Sequence, residues 1–105
     1  MADSEVLKKW LSEGKQVGKV NSYELTGERY WTSVGIQKWG DVVKVYVDEI
    51  LESEMDAENY LREEILEFTD VNSALAYIDK NTRVTLDEIA PCKGQKIFNP
   101  RFNHP

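Results

Sequence analysis

Cys92 and His104 are the only residues of their kinds in the chain. A thiolate–imidazole nucleophile would have to be assembled from these two, and His104 is the penultimate residue, where chains fray. Lys93 could lower the Cys92 pKa, but a lone Cys near a loop is first of all a small residue. Structural zinc takes about four Cys or His ligands, so the pair cannot supply a site. Carboxylates are the one abundant chemical group. Between Asp48 and Asp70 stand ten acids (Asp48, Glu49, Glu52, Glu54, Asp56, Glu58, Glu63, Glu64, Glu67, Asp70) against a single base, Arg62. Such a run could hold a hard cation, yet it lacks the Asp-x-Asp-x-Asp-Gly order that wraps calcium. Acid–base catalysis by two carboxyls needs one of them in an apolar pocket, and no pocket can be read from the sequence. The glycines are dispersed, without a phosphate-cradling cluster. The expectation is no catalytic set, no metal and no cofactor. A small hydrolase or transferase using Asp or Glu, helped by Tyr or Lys, is kept as an alternative.

Aromatic residues beside bases, Arg29-Tyr30-Trp31 and Lys38-Trp39, could stack on nucleobases. The formal charge of −6 opposes this, because it repels phosphate backbones and anionic membranes alike. Concentrated acid next to aromatic side chains points instead to a non-enzymatic protein–protein interaction or regulatory module, since aromatics anchor interfaces and charge steers encounter. The candidate interaction residues are Trp31, Trp39, Tyr46, Glu52, Glu54, Glu58 and Glu63, and the partner expected is a protein, basic in character. A dense carboxylate surface could also imitate nucleic acid and block a basic site, which gives an inhibitor as the alternative binding function.

These side chains must be positioned by a sheet. Tyr30 to Trp39 and Val42 to Asp48 are rich in β-branched and aromatic residues, and Gly40-Asp41 between them suits a primed two-residue turn. Alternation then puts Tyr30, Thr32, Val34 and Ile36 on one face with Val43, Val45 and Val47, which is the core face. Trp31, Trp39, Val42, Tyr46 and Ile50 fall on the opposite face, with Tyr46 across from Gly35. Gln16 to Leu25 reads as an edge strand entering this hairpin through Thr26-Gly27. From Asp56 to Phe68 two patterns compete. Asp56 as N-cap, with Met55 against Tyr60 as a staple, argues for a helix; the helical stripe that starts at once after Thr69-Asp70 favours a strand over Arg62 to Phe68.

A first helix follows Asp3 or Ser4, with Val6, Leu7, Trp10 and Leu11 on one stripe and Gly14 as its stop. Its stripe is expected to pack on the chain's own sheet, and if the sheet has a second apolar face this helix is the nearest cover for it. The main helix runs from Val71 to about Lys80 on Val71, Ala74, Leu75 and Ile78, and Thr85 caps a brief turn ended by Pro91. The fold expected is α+β: an antiparallel meander of three or four strands, an N-terminal helix and one main helix after the sheet. With 105 residues it is a single small globular domain, 1–105, with a C-terminal tail over 91–105. That tail carries Lys93, Lys96 and Arg101 without an acid, plus Ile97, Phe98 and Phe102, and is expected to dock on the acidic region or on another chain. No mechanism attaches to Lys93–Pro100. One cysteine, an acidic N-terminus and no long apolar run fit a cytoplasmic protein without a membrane span, monomer or homodimer.

Overall fold

The computed structural model describes residues 4–91, Ser4 and Trp39 by their backbone only. The expectations for Cys92, for His104 and for docking of the basic tail lie outside the described residues. Within them the chain builds α1 (Ser4–Ser12), β1 (Val17–Leu25), β2 (Glu28–Trp39), β3 (Val42–Leu51), β4 (Arg62–Phe68), α2 (Val71–Asn81) and β5 (Ala90–Pro91), with 3-10 turns at Glu52–Glu54 and Leu86–Glu88. The α+β class and the antiparallel sheet are as the sequence indicates. The sheet has five strands rather than three or four, in the order β4-β3-β2-β1-β5. The added strand is two residues long, Ala90 and Pro91 against Gly18 and Val17, too short to leave an alternating pattern.

Two hairpins fix the register. Thr26 and Gly27 both have positive φ (50° and 82°), as a type I′ turn requires, and they join Leu25 to its partner Glu28. At Gly40-Asp41 only the glycine is left-handed (φ 57°), which fits type II′ and brings Trp39 opposite Val42. β4 then pairs with β3 from Val43↔Phe68 to Glu49↔Arg62. The strand reading of Arg62–Phe68 is therefore right. Residues 55–58 form turns and 59–61 an irregular link, instead of the alternative helix.

One core lies on one face. Val17, Val34, Ile36, Val43, Val45 and Val47 from the sheet meet Leu7 and Leu11 of α1, Ala74, Leu75 and Ile78 of α2, and Val84 and Ile89 beyond it. α1 sits over β1 and β2, and α2 over β3 and β4. The α1 stripe packs on its own sheet, as the sequence indicates, and it does so on the main core face rather than on a second one, because an apolar helix face gains most by joining the largest apolar surface. β1 is an edge strand only in part, since β5 pairs with its first two residues. α2 starts where Asp70 caps it, accepting from the Ser73 N–H (2.8 Å) and Ser73 Oγ (2.9 Å). It ends at Thr82, whose N–H donates to the Ile78 carbonyl. No helix among the described residues is long and apolar enough to cross a membrane.

Candidate functional site

β3 and β4 turn Tyr46, Asp48, Glu63, Ile65 and Glu67 to the face of the sheet away from both helices, because Tyr46 pairs with Ile65 and Asp48 with Glu63 in an unbroken register. Tyr46 is 2% exposed and lies against Gly35 on β2, a position without a side chain to keep the ring off the sheet. Its hydroxyl oxygen is 2.8 Å from Glu63 Oε2 and 3.0 Å from Asp48 Oδ2. The other Asp48 oxygen, Oδ1, accepts from the Ser33 N–H at 2.9 Å.

A phenol carries one proton and cannot donate to two carboxylates at once. The Tyr46 hydroxyl has both Asp48 Oδ2 and Glu63 Oε2 within reach of its single proton, so the two carboxyls compete for one donor. Burial pushes the Asp48 carboxyl above its ordinary range, with the negative charge of Glu63 adding to the effect, while hydrogen bonds from Tyr46 and Ser33 oppose it. Burial and the charge of Asp48 likewise drive the Tyr46 phenol far up, so it stays a donor. Tyr60, pushed up by burial and then by Asp48, Glu63 and Glu58, borders the same group. The arrangement is one phenol donor shared by two carboxyls, Asp48 buried and Glu63 at the surface.

The candidate residues fall into two sets. Trp31, half-buried on β2, donates its indole N–H to Glu52 Oε1 (2.9 Å) and so ties the 3-10 turn after β3 to the sheet. Glu54 in the same turn is half-buried. Glu58 is exposed and has a left-handed φ of 52°. Glu63 is exposed on β4, whereas Tyr46 beneath it faces the acids and not solvent. Trp39 closes β2 opposite Val42.

The acidic run is not one solvated face. Asp48 is 6% exposed. Glu49 and Glu64 hold Arg62, at 3.3 and 3.0 Å. Arg62 also donates to Tyr77 (2.9 Å) and to the Asn81 carbonyl (2.7 Å), so the run's single base joins β3 and β4 to the end of α2. Arg62 is consequently unavailable to the outward acids. Glu52, Asp56, Glu58, Glu63 and Glu67 are exposed, and among them sit Tyr60 (38%), Leu61 (65%) and Ile65 (40%). Sequence reasoning missed Leu61 and Ile65, whose aliphatic side chains are indistinguishable from core residues until the sheet face is known. It also missed Asp48 as a buried acid: its place two residues from Tyr46 on one strand gives its face but not the depth of cover over it.

Among the described residues no group of three or more His, Cys, Asp or Glu side chains has the geometry to hold a metal ion. An open groove of about 480 Å³ is lined by Lys38, Asp41, Val43, Thr69, Asp70 and Val71, at the other end of β3 from Asp48. Comparison of the chain with protein-family models, with curated proteins and with solved structures gives no match.

Proposed function

We propose that this chain is a non-enzymatic protein-binding module whose contact surface lies on β4 and the 52–61 connection. One observation carries the reading: the exposed apolar side chains Leu61 and Ile65 stand among exposed carboxylates of the same segment, while Arg62 is bound inward and Lys44, across from Glu67 on β3, is buried. Apolar centres within a charged rim are the usual anatomy of a protein interface. The partner is expected to be basic, since the carboxylates would both steer its approach and repel acidic competitors. Trp31 supports the surface from beneath by anchoring Glu52.

The test is affinity capture from a lysate of the source cells, comparing the wild-type chain with a variant in which Glu52, Glu54, Glu58 and Glu63 are Gln. The reading expects basic proteins to be retained by the wild type at low salt and lost from the variant. Identical sets from both would remove the acidic surface from the account.

The buried Asp48 beside Tyr46 favours one second reading, an acid–base enzyme. The groove lined by Lys38, Asp41 and Asp70 lies at the other end of β3 and does not include this pair. A substrate-panel screen in which activity appears and is abolished by Asp48→Asn would promote it over binding.

A further inference from the structure

The two edges of the sheet are built differently. At one edge β5 is two residues long and ends in Pro91, which has no N–H to offer a neighbour. The rest of β1 carries Lys19 and is overlaid by the segment after α2, with Arg83 4.1 Å from the Tyr23 ring centre and Asn21 Nδ2 donating to Glu88. Short strands, proline, lysine and covering segments are the devices that keep edges from pairing. β4, at the other edge, relies on charge alone among these devices, with Arg62 and Glu64 inward and Glu63 and Glu67 outward, and a partner of opposite charge would neutralise the outward pair. It is seven residues long, without Pro, Gly or Lys, and it keeps regular pairing with β3 throughout. Among the described residues no strand pairs with its far side.

We propose that the far edge of β4 accepts an extended segment of a partner protein as a sixth strand, and that this segment carries the pattern cation-x-apolar-x-cation. Strand addition supplies main-chain hydrogen bonds, and alternate side chains supply specificity. On the outward face those alternate positions are Glu63, Ile65 and Glu67, all exposed. An antiparallel visitor therefore sets a cation against Glu67, an apolar residue against Ile65 and a cation against Glu63. The inward positions Arg62, Glu64, Leu66 and Phe68 are half-buried, with Arg62 and Glu64 bonded to Tyr77 and Phe68 packed edge-on to Tyr77 at 5.7 Å. They add little selection. A second copy of this chain is disfavoured: the symmetric register that stacks Ile65 on its twin places Glu63 opposite Glu67 at both ends, and like charges directly opposite repel. This inference rests on the binding reading above and specifies its mode.

The test uses the full-length chain labelled with nitrogen-15, titrated at low salt with the blocked peptide Thr-Lys-Thr-Ile-Thr-Lys-Thr and with a control peptide bearing Glu in place of both Lys. The expected result is amide shifts, new hydrogen-exchange protection and intermolecular proximity signals confined to Arg62–Phe68, with the control inert. Glu63→Lys combined with Glu67→Lys should weaken the first peptide by about tenfold or more, the scale of losing close charge pairs, while spectra elsewhere show the fold kept. Peptide binding that leaves the β4 amides unprotected would overturn strand addition yet preserve an acidic binding surface. No binding by either peptide would overturn the inference, leaving the broader reading to stand or fall on the capture experiment. Protection, without peptide, of the β4 amides that do not bond to β3 would overturn it too: protection that grows with concentration would mark a second copy, and constant protection a segment of the chain itself.

Discussion

Asp48, Tyr46 and Glu63 form a unit in which one proton too few or too many changes the energy of the sheet. A carboxyl whose value is raised by folding is favoured protonated in the native state. Its contribution is therefore complete below the ordinary carboxyl range near pH 4 and is lost as pH rises through the raised value. Asp48→Asn imitates the protonated acid, with the amide oxygen still accepting from Ser33 and the amide N–H donating to Tyr46. We expect it to raise stability at pH 7 by on the order of 1 kcal/mol and to flatten the decline above the ordinary carboxyl range, as read by denaturant unfolding at a series of pH values. Tyr46→Phe removes the central donor and leaves Asp48 buried beside Glu63, so it should cost about 1–3 kcal/mol. At the acidic end the sign reverses. Hydrogen bonds from Arg62 hold Glu64 below its ordinary value and the Ser73 N–H does the same for Asp70, so their contributions are lost as pH falls through those lowered values. The position of Tyr46 across from Gly35 was legible from alternation alone. That Asp48 would be buried was not, because a strand pattern gives the face of a residue and not the depth of cover over it.

At the scale of elements, local sequence decided wherever turn chemistry was strong. Gly40-Asp41, Thr26-Gly27 and Asp70 each fixed a boundary that the structure keeps. Thr26 is a compromise: a β-branched residue with φ 50° occupies a type I′ position that Asn fills more readily. Thr26→Asn should stabilise the protein by about 1 kcal/mol, measured as a shift in the urea midpoint with an unchanged slope. Between residues 56 and 68 helix and strand patterns were nearly balanced, and long-range pairing decided. Val43, Val45 and Val47 offered an open edge, and Arg62 gained a place between Glu49, Glu64, Tyr77 and the end of α2. No single-strand pattern contains that gain. Arg62→Met keeps most of the apolar stem but leaves these partners unmatched, so a loss of about 2–3 kcal/mol is expected, with β4 and the end of α2 showing the largest increase in hydrogen exchange. The side of the sheet chosen by α1 was equally illegible, since an amphipathic helix fits any apolar face and only the completed core ranks them.

Across the whole molecule the acids of the 48–70 run have two separate roles, some bracing the sheet and others rimming Leu61 and Ile65 at one edge. The class, the first three strands and both helices could be read in advance, and so could the concentration of acid. The surface they form could not, because it joins residues from a connection and an edge strand whose neighbours are set by the sheet order. The central claim is that partners bind at this edge, and it is tested most directly by site-specific photo-crosslinking in source-cell lysate. A photoreactive residue replaces Leu61 in one variant and Leu25, an exposed leucine at the β1–β2 turn, in another. A discrete, salt-sensitive adduct with a basic protein at position 61, absent at position 25, is the predicted result. Adducts that are the same at both positions, or that persist unchanged at high salt, would contradict the account.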